Sequence, residues 1–67
     1  MPIVHIHMLE GRDAERRAQL IERITDVLVE TAGAPREKVV VLLNEVAREN
    51  WGSGGVPKSA PPATSAT

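Results

Sequence analysis

Apolar and polar positions alternate at the start of the chain and then change period. In Pro2-Ile3-Val4-His5-Ile6-His7-Met8-Leu9 the apolar residues are Ile3, Val4, Ile6, Met8 and Leu9. Positions 4, 6 and 8 share one face of a strand and His5 and His7 the other, since successive strand side chains point to opposite sides. A strand over residues 2–9 is predicted. Glu10-Gly11-Arg12 reads as a turn, and Asp13 has the chemistry of a helix N-cap. From Ala14 to Ala32 the period becomes helical, with Leu20, Ile21, Ile24, Val27, Leu28 and Thr31 on one stripe. Arg16, Arg17, Glu22, Arg23, Asp26 and Glu30 form most of the solvent side. Gly33 and then Pro35 supply the stop.

Val39 to Leu43 is a continuous apolar run, extended by Asn44-Glu45-Val46-Ala47. Such a run suits a strand of a parallel sheet. Strand, helix, strand gives a right-handed βαβ unit with parallel strands, an α/β (α+β) fold class. Trp51-Gly52-Ser53-Gly54-Gly55 follows as a glycine-rich turn or short hairpin. Residues 2–55 read as one domain. Residues 56–67, rich in Pro, Ser, Ala and Thr, read as a disordered tail.

This pattern has a consequence for assembly. One helix covers one face of two strands, and two strands alone are marginal. The apolar residues of the second face need another copy of the chain. The chain of 67 residues is short, and it has no cysteine to stabilise it by a disulfide. An obligate oligomer is expected.

Charge and composition exclude several classes. The formal net charge is −1, with acids and bases interspersed, so no nucleic acid or anionic membrane is expected as partner. No basic leader with a long apolar run opens the chain, and no stretch approaches a membrane span. A cytoplasmic protein is expected. Trp51 is the only aromatic residue, so the core must be aliphatic.

Two groups of residues carry candidate chemistry. Removal of Met1, which aminopeptidases perform before small residues, would leave Pro2 with a free secondary amine at the start of an ordered strand. An α-amino group titrates near ~8, and an apolar pocket beside a cation lowers that value. The product would be a base poised near neutral pH. Position alone favours a plainer reading, a proline that opens an edge strand. His5 and His7 form a His-x-His on one strand face. A zinc site needs three or four ligands, so histidines satisfied within a core or interface are expected, and no metal site. Glu45 is placed to pair across an interface.

The chain resembles the 4-oxalocrotonate tautomerase (2-hydroxymuconate tautomerase) family of the tautomerase superfamily. The matching pieces are Pro2 through Arg12, the helix, Ala34-Pro35, Val39 to Glu45, and Trp51 through Gly55. The resemblance implies a βαβ unit that dimerises into a four-stranded sheet, with three dimers forming a hexamer. It implies an isomerase that moves a proton between carbon and oxygen of a small enol or dienol carboxylic acid. Pro2 stands as base and then acid, and no cofactor is needed. Arg12 matches the family's carboxylate-binding arginine, a role suited to a bidentate guanidinium. Trp51 stands where the family has a pocket-lining phenylalanine.

One position departs from the family. Val40 stands where a second arginine is found, and valine cannot polarise an oxo group. Lys38, read as two residues earlier on the same strand face, is the first candidate to replace it, with Arg36 and Arg48 as further ones. Two alternatives therefore stay open. The chain is a non-catalytic or half-site subunit of a mixed hexamer, or it is a hydratase, dehalogenase or decarboxylase of the same superfamily.

Overall fold

The computed structural model describes residues 1–59. The greater part of the expected tail, residues 60–67, lies outside them. The chain forms strand β1 (Ile3–Leu9), helix α1 (Ala14–Ala32), a 3-10 turn (Arg36–Lys38), strand β2 (Val40–Val46), a second 3-10 turn (Arg48–Asn50), and two short strands, β3 (Gly52–Ser53) and β4 (Val56–Pro57). β1 and β2 pair in parallel, with Ile3 opposite Val40, His5 opposite Leu42 and Leu9 opposite Val46. The ladder continues at both ends. The Val40 N–H donates to the Pro2 carbonyl at 3.0 Å, and the Glu10 N–H to the Val46 carbonyl at 3.0 Å. β3 and β4 form an antiparallel hairpin.

Local signals set the helix. The Asp13 carboxylate accepts from the Arg16 N–H at 2.8 Å, satisfying one of the unpaired donors of the first turn. Gly33 ends the helix in the left-handed region, at φ 68°, where a side chain would be strained. The parallel crossover then returns the chain beside β1. Two ion pairs fix it there. Arg17 reaches Glu45 of β2 at 3.4 Å and also donates to the Arg12 carbonyl. Arg36 of the first 3-10 turn holds Asp26 of α1 at 2.7 Å.

The helix lies against one face of the sheet. Val4, Ile6 and Met8 of β1 and Val41, Leu43 and Glu45 of β2 are half-buried there. The opposite face carries Ile3, His5 and His7 beside Val40, Leu42 and Asn44, all exposed. Ile3 keeps 56% of its surface exposed and Leu42 47%. Among the described residues no apolar side chain is fully buried.

Four expectations need correction. Ile21, Val27 and Thr31 are exposed rather than packed, because two strands are too narrow to shield the whole stripe. Leu20, Ile24 and Leu28 are half-buried. The most buried residue is Thr25, whose hydroxyl donates to the Ile21 carbonyl at 2.7 Å and so enters the interior without an unpaired group. Glu45 pairs within its own chain. The tail does not begin at Val56. Val56 and Pro57 form β4, and the Lys58 N–H donates to the Trp51 carbonyl at 2.7 Å. Finally, β2 begins at Val40, so Lys38 lies in the preceding 3-10 turn and not on the strand.

Leu28 sits on the helix face toward the sheet. Leu28→Ala is expected to destabilise the protein by about 2–3 kcal/mol, as large-to-small core substitutions do. A chemical-denaturation midpoint equal to that of wild type would contradict this packing.

Candidate active site

The parallel ladder sorts the candidate residues into two groups. Pro2, Val40 and Lys38 lie at the end where β1 and β2 begin. Pro2 is half-buried and is held through its carbonyl by the Val40 N–H. Met1 beyond it is 83% exposed, so nothing in the fold anchors that residue. Val40, 38% exposed, presents an aliphatic side chain on the bare sheet face, and Lys38 is exposed beside it in sequence.

Arg12 lies at the other end, where β1 finishes. Its Nη1 donates weakly to the Leu9 carbonyl at 3.4 Å, and the side chain is exposed. Arg12 lines two adjoining shallow depressions. One is lined by Arg12, Arg16, Gln19, Leu20 and Arg23. The other is lined by Glu10, Gly11, Arg12, Asp13, Arg16 and Arg48. Trp51 follows β2 through the turn Arg48–Asn50 and is half-buried. Its backbone N–H donates to the Arg48 carbonyl at 3.2 Å, and its backbone carbonyl accepts from the Lys58 N–H beyond β4 at 2.7 Å.

Pro2 and Arg12 therefore stand at opposite ends of a strand of 7 residues. At roughly 3.3 Å per residue they are separated by about 20 Å or more. A small carboxylate cannot touch both on one chain.

The arginines differ in what they already hold. Arg17 and Arg36 are engaged by Glu45 and Asp26. Arg12, Arg16, Arg23, Arg48 and Lys38 have no ion-pair partner among the described residues. The sequence reading had placed Arg16 and Arg23 on the solvent side of the helix. Both line one depression with Arg12.

The histidines are not gathered into a metal site. His7 Nδ1 lies 3.0 Å from Asn44 Nδ2 across the β1–β2 pair. In that arrangement the amide donates, and the ring carries its proton on Nε2. Among the described residues no group of three His, Cys, Asp or Glu side chains converges. No helix among them is long and apolar enough to cross a membrane.

Comparisons with known proteins agree with this architecture. A family profile described as "Tautomerase enzyme" matches residues 2–60. The 2-hydroxymuconate tautomerase of Comamonas testosteroni is 48% identical over 56 residues, covering 84% of this chain and 89% of that one. The crystal structure of a 4-oxalocrotonate tautomerase homologue superimposes with a TM-score of 0.86 at 38% identity, covering 91% of this chain and 97% of its own. A heterohexameric 4-oxalocrotonate tautomerase from Chloroflexus aurantiacus matches with a TM-score of 0.81 at 29% identity, covering 88% and 95%. A βαβ unit with a short C-terminal hairpin is thus shared with enzymes of one kind: the chain belongs to the tautomerase family of isomerases.

Proposed function

We propose that this tautomerase moves a proton between the enol oxygen and a carbon of a small unsaturated oxo or hydroxy carboxylic acid, with the amino group of Pro2 as base and then acid. The observation that carries this reading is the setting of Pro2. It is the second residue, half-buried at the start of β1, and tied by its carbonyl to the β2 backbone. That leaves its nitrogen as the free end of a rigid element once Met1 is removed. The amine takes the hydroxyl proton of the enol acid and returns a proton to carbon, so no net proton is gained or lost. A positioned acid–base group of this kind contributes typically 10²–10⁴-fold.

Arg12 binds the substrate carboxylate, and Trp51 supplies an apolar wall. Since Pro2 and Arg12 occupy opposite ends of one chain, the Arg12 that serves a given Pro2 belongs to another copy. The bare sheet face supports the same conclusion, because Ile3, Val40 and Leu42 require cover. The assembly in this reading is a homo-oligomer, a hexamer as the resemblance to the family implies. Lys38 stays at the Pro2 end as a cation that can approach the site from the turn before β2.

A second reading has one observation in its favour. Val40 leaves the Pro2 end without a guanidinium, and one similar protein is a heterohexamer. The chain would then be one component of a mixed assembly. A purified homo-oligomer that turns over an enol acid removes this reading as the sole role.

Two tests follow from the first reading. Intact mass of the purified protein should lack one methionine, and Pro2→Ala should lower turnover of 2-hydroxymuconate by about tenfold or more, less than the full acid–base contribution because alanine keeps an amine. Retained full activity in Pro2→Ala with the oligomer intact would exclude the proline as the catalytic group. Leu42→Glu places a charge on the bare sheet face. Sedimentation velocity should show loss of the oligomer at concentrations where wild type is fully assembled, since an unpaired charge is not tolerated in an apolar interface. An unchanged sedimentation coefficient would show that this face is not an interface.

A further inference from the structure

The chain has two histidines, and both stand on the bare face of the sheet. His5 and His7 share that face of β1 with Ile3, and across the strand pair they meet Val40, Leu42 and Asn44 of β2. All six residues are exposed. The helix packs on the other face, and the ion pair Arg17–Glu45 lies with it there. Neither a carboxylate nor a cation stands among the six. The nearest charged residues along the chain, Lys38 and Glu10, lie in the turn before β2 and beyond the end of β1.

Histidine is a different group above and below about pH 6.5, where the free side chain titrates. Neutral imidazole is largely apolar and can meet its hydrogen bonds locally. His7 does so: its Nδ1 lies 3.0 Å from the Asn44 amide nitrogen, a contact that needs the unprotonated ring nitrogen as acceptor. Protonation removes that lone pair and adds a charge. On a separated chain, water solvates the charge. Against a second copy, the charge is enclosed by Ile3, Val40 and Leu42, and an interface of like faces brings only the same set of residues. No acid is then at hand to offset the desolvation.

We propose that His5 and His7 make the assembly of this chain, and with it the active site shared between copies, dependent on pH: the bare faces join while the imidazoles are neutral and separate once they are protonated. The inference rests on the reading that a second copy covers this face. Protons bind the separated chains more readily than the assembled ones. Assembly is therefore at full strength above about pH 6.5 and is lost as the pH falls below it. Each ring that must be buried without its proton weakens assembly about tenfold per pH unit in that range. Two facing copies hold four such rings, two from each chain, so the dissociation constant rises by up to about 10⁴-fold between about pH 6.5 and about pH 5.5. Ordinary carboxylates do not account for a loss there, because they titrate near about pH 4.

Sedimentation velocity over a dilution series at several pH values measures this directly. It reads assembly and not turnover, which the Pro2 amine also makes dependent on pH. Wild type is expected to be assembled at about pH 7.5 and to separate reversibly by about pH 5.5. The double variant His5→Gln with His7→Gln, uncharged at both, should stay assembled throughout, and each single variant should lose about half of the slope of log Kd against pH. Wild type that remains assembled at about pH 5.5 overturns the proposal and leaves the shared active site standing. Wild type and double variant that separate at the same pH also overturn it, because another group is then titrating. Wild-type chains already separate at about pH 7.5 overturn the oligomer reading itself, and this proposal with it. If the double variant fails to assemble even at neutral pH, the wild-type slope decides: a rise in Kd of less than about tenfold per pH unit below about pH 6.5 overturns the proposal.

Discussion

The parallel pairing of β1 with β2 is the constraint on which the rest depends. It requires a crossover, which α1 supplies, and the crossover covers one face of the sheet only. It also places the two strand beginnings together and the two strand ends together. Pro2 and Val40 therefore neighbour each other, while Arg12 is carried to the far end along the length of β1. A reaction that needs a proline amine and an arginine at one small molecule has to draw them from different chains. The same geometry that leaves a single chain without a site leaves it with an uncovered apolar face, so incompleteness in packing and incompleteness in chemistry have one cause.

The interior of the single chain is thin. No apolar residue among the described ones is fully buried, and the most protected side chain is a threonine. In the proposed oligomer stability rests on burial between copies, which at about 25 cal/mol per Å² accumulates only when large faces meet. The ion pairs Arg17–Glu45 and Arg36–Asp26 are half-exposed, and pairs of that kind contribute little on their own. Their role is geometric: one joins α1 to the end of β2, and the other joins the turn before β2 to α1. Between them they hold the helix along the sheet and so hold the Arg12 end in place.

Much of this was legible in the residues, and the reasons differ by element. The bounds of α1 follow from Asp13 and Gly33, which act through their own hydrogen bond and backbone angle and need no tertiary partner. The strand alternation of residues 3–9 is equally local. What the chain did not disclose depends on neighbours in space. Val27 fits the helical stripe, yet it falls beyond the edge of a two-stranded sheet. Lys38 has strand-like spacing from Val40, but the 3-10 turn after Pro35 takes it off the strand. Val56 and Pro57 look like the start of a low-complexity tail, and only the glycine turn before them folds them back on Gly52 and Ser53. The roles proposed for Pro2, Arg12 and Trp51 rest on family resemblance rather than on pattern.

The central claim is that one working site is assembled from Pro2 of one chain and Arg12 of another. Pro2→Ala and Arg12→Ala chains, each impaired alone, can be denatured together, refolded as mixed oligomers and assayed on an enol acid against each refolded alone. A shared site predicts recovery of part of the wild-type rate in the mixture only, because some sites then receive an intact Pro2 from the Arg12→Ala chain and an intact Arg12 from the Pro2→Ala chain. A mixture no more active than its two components, with mixed oligomers verified by native mass spectrometry, would contradict the account.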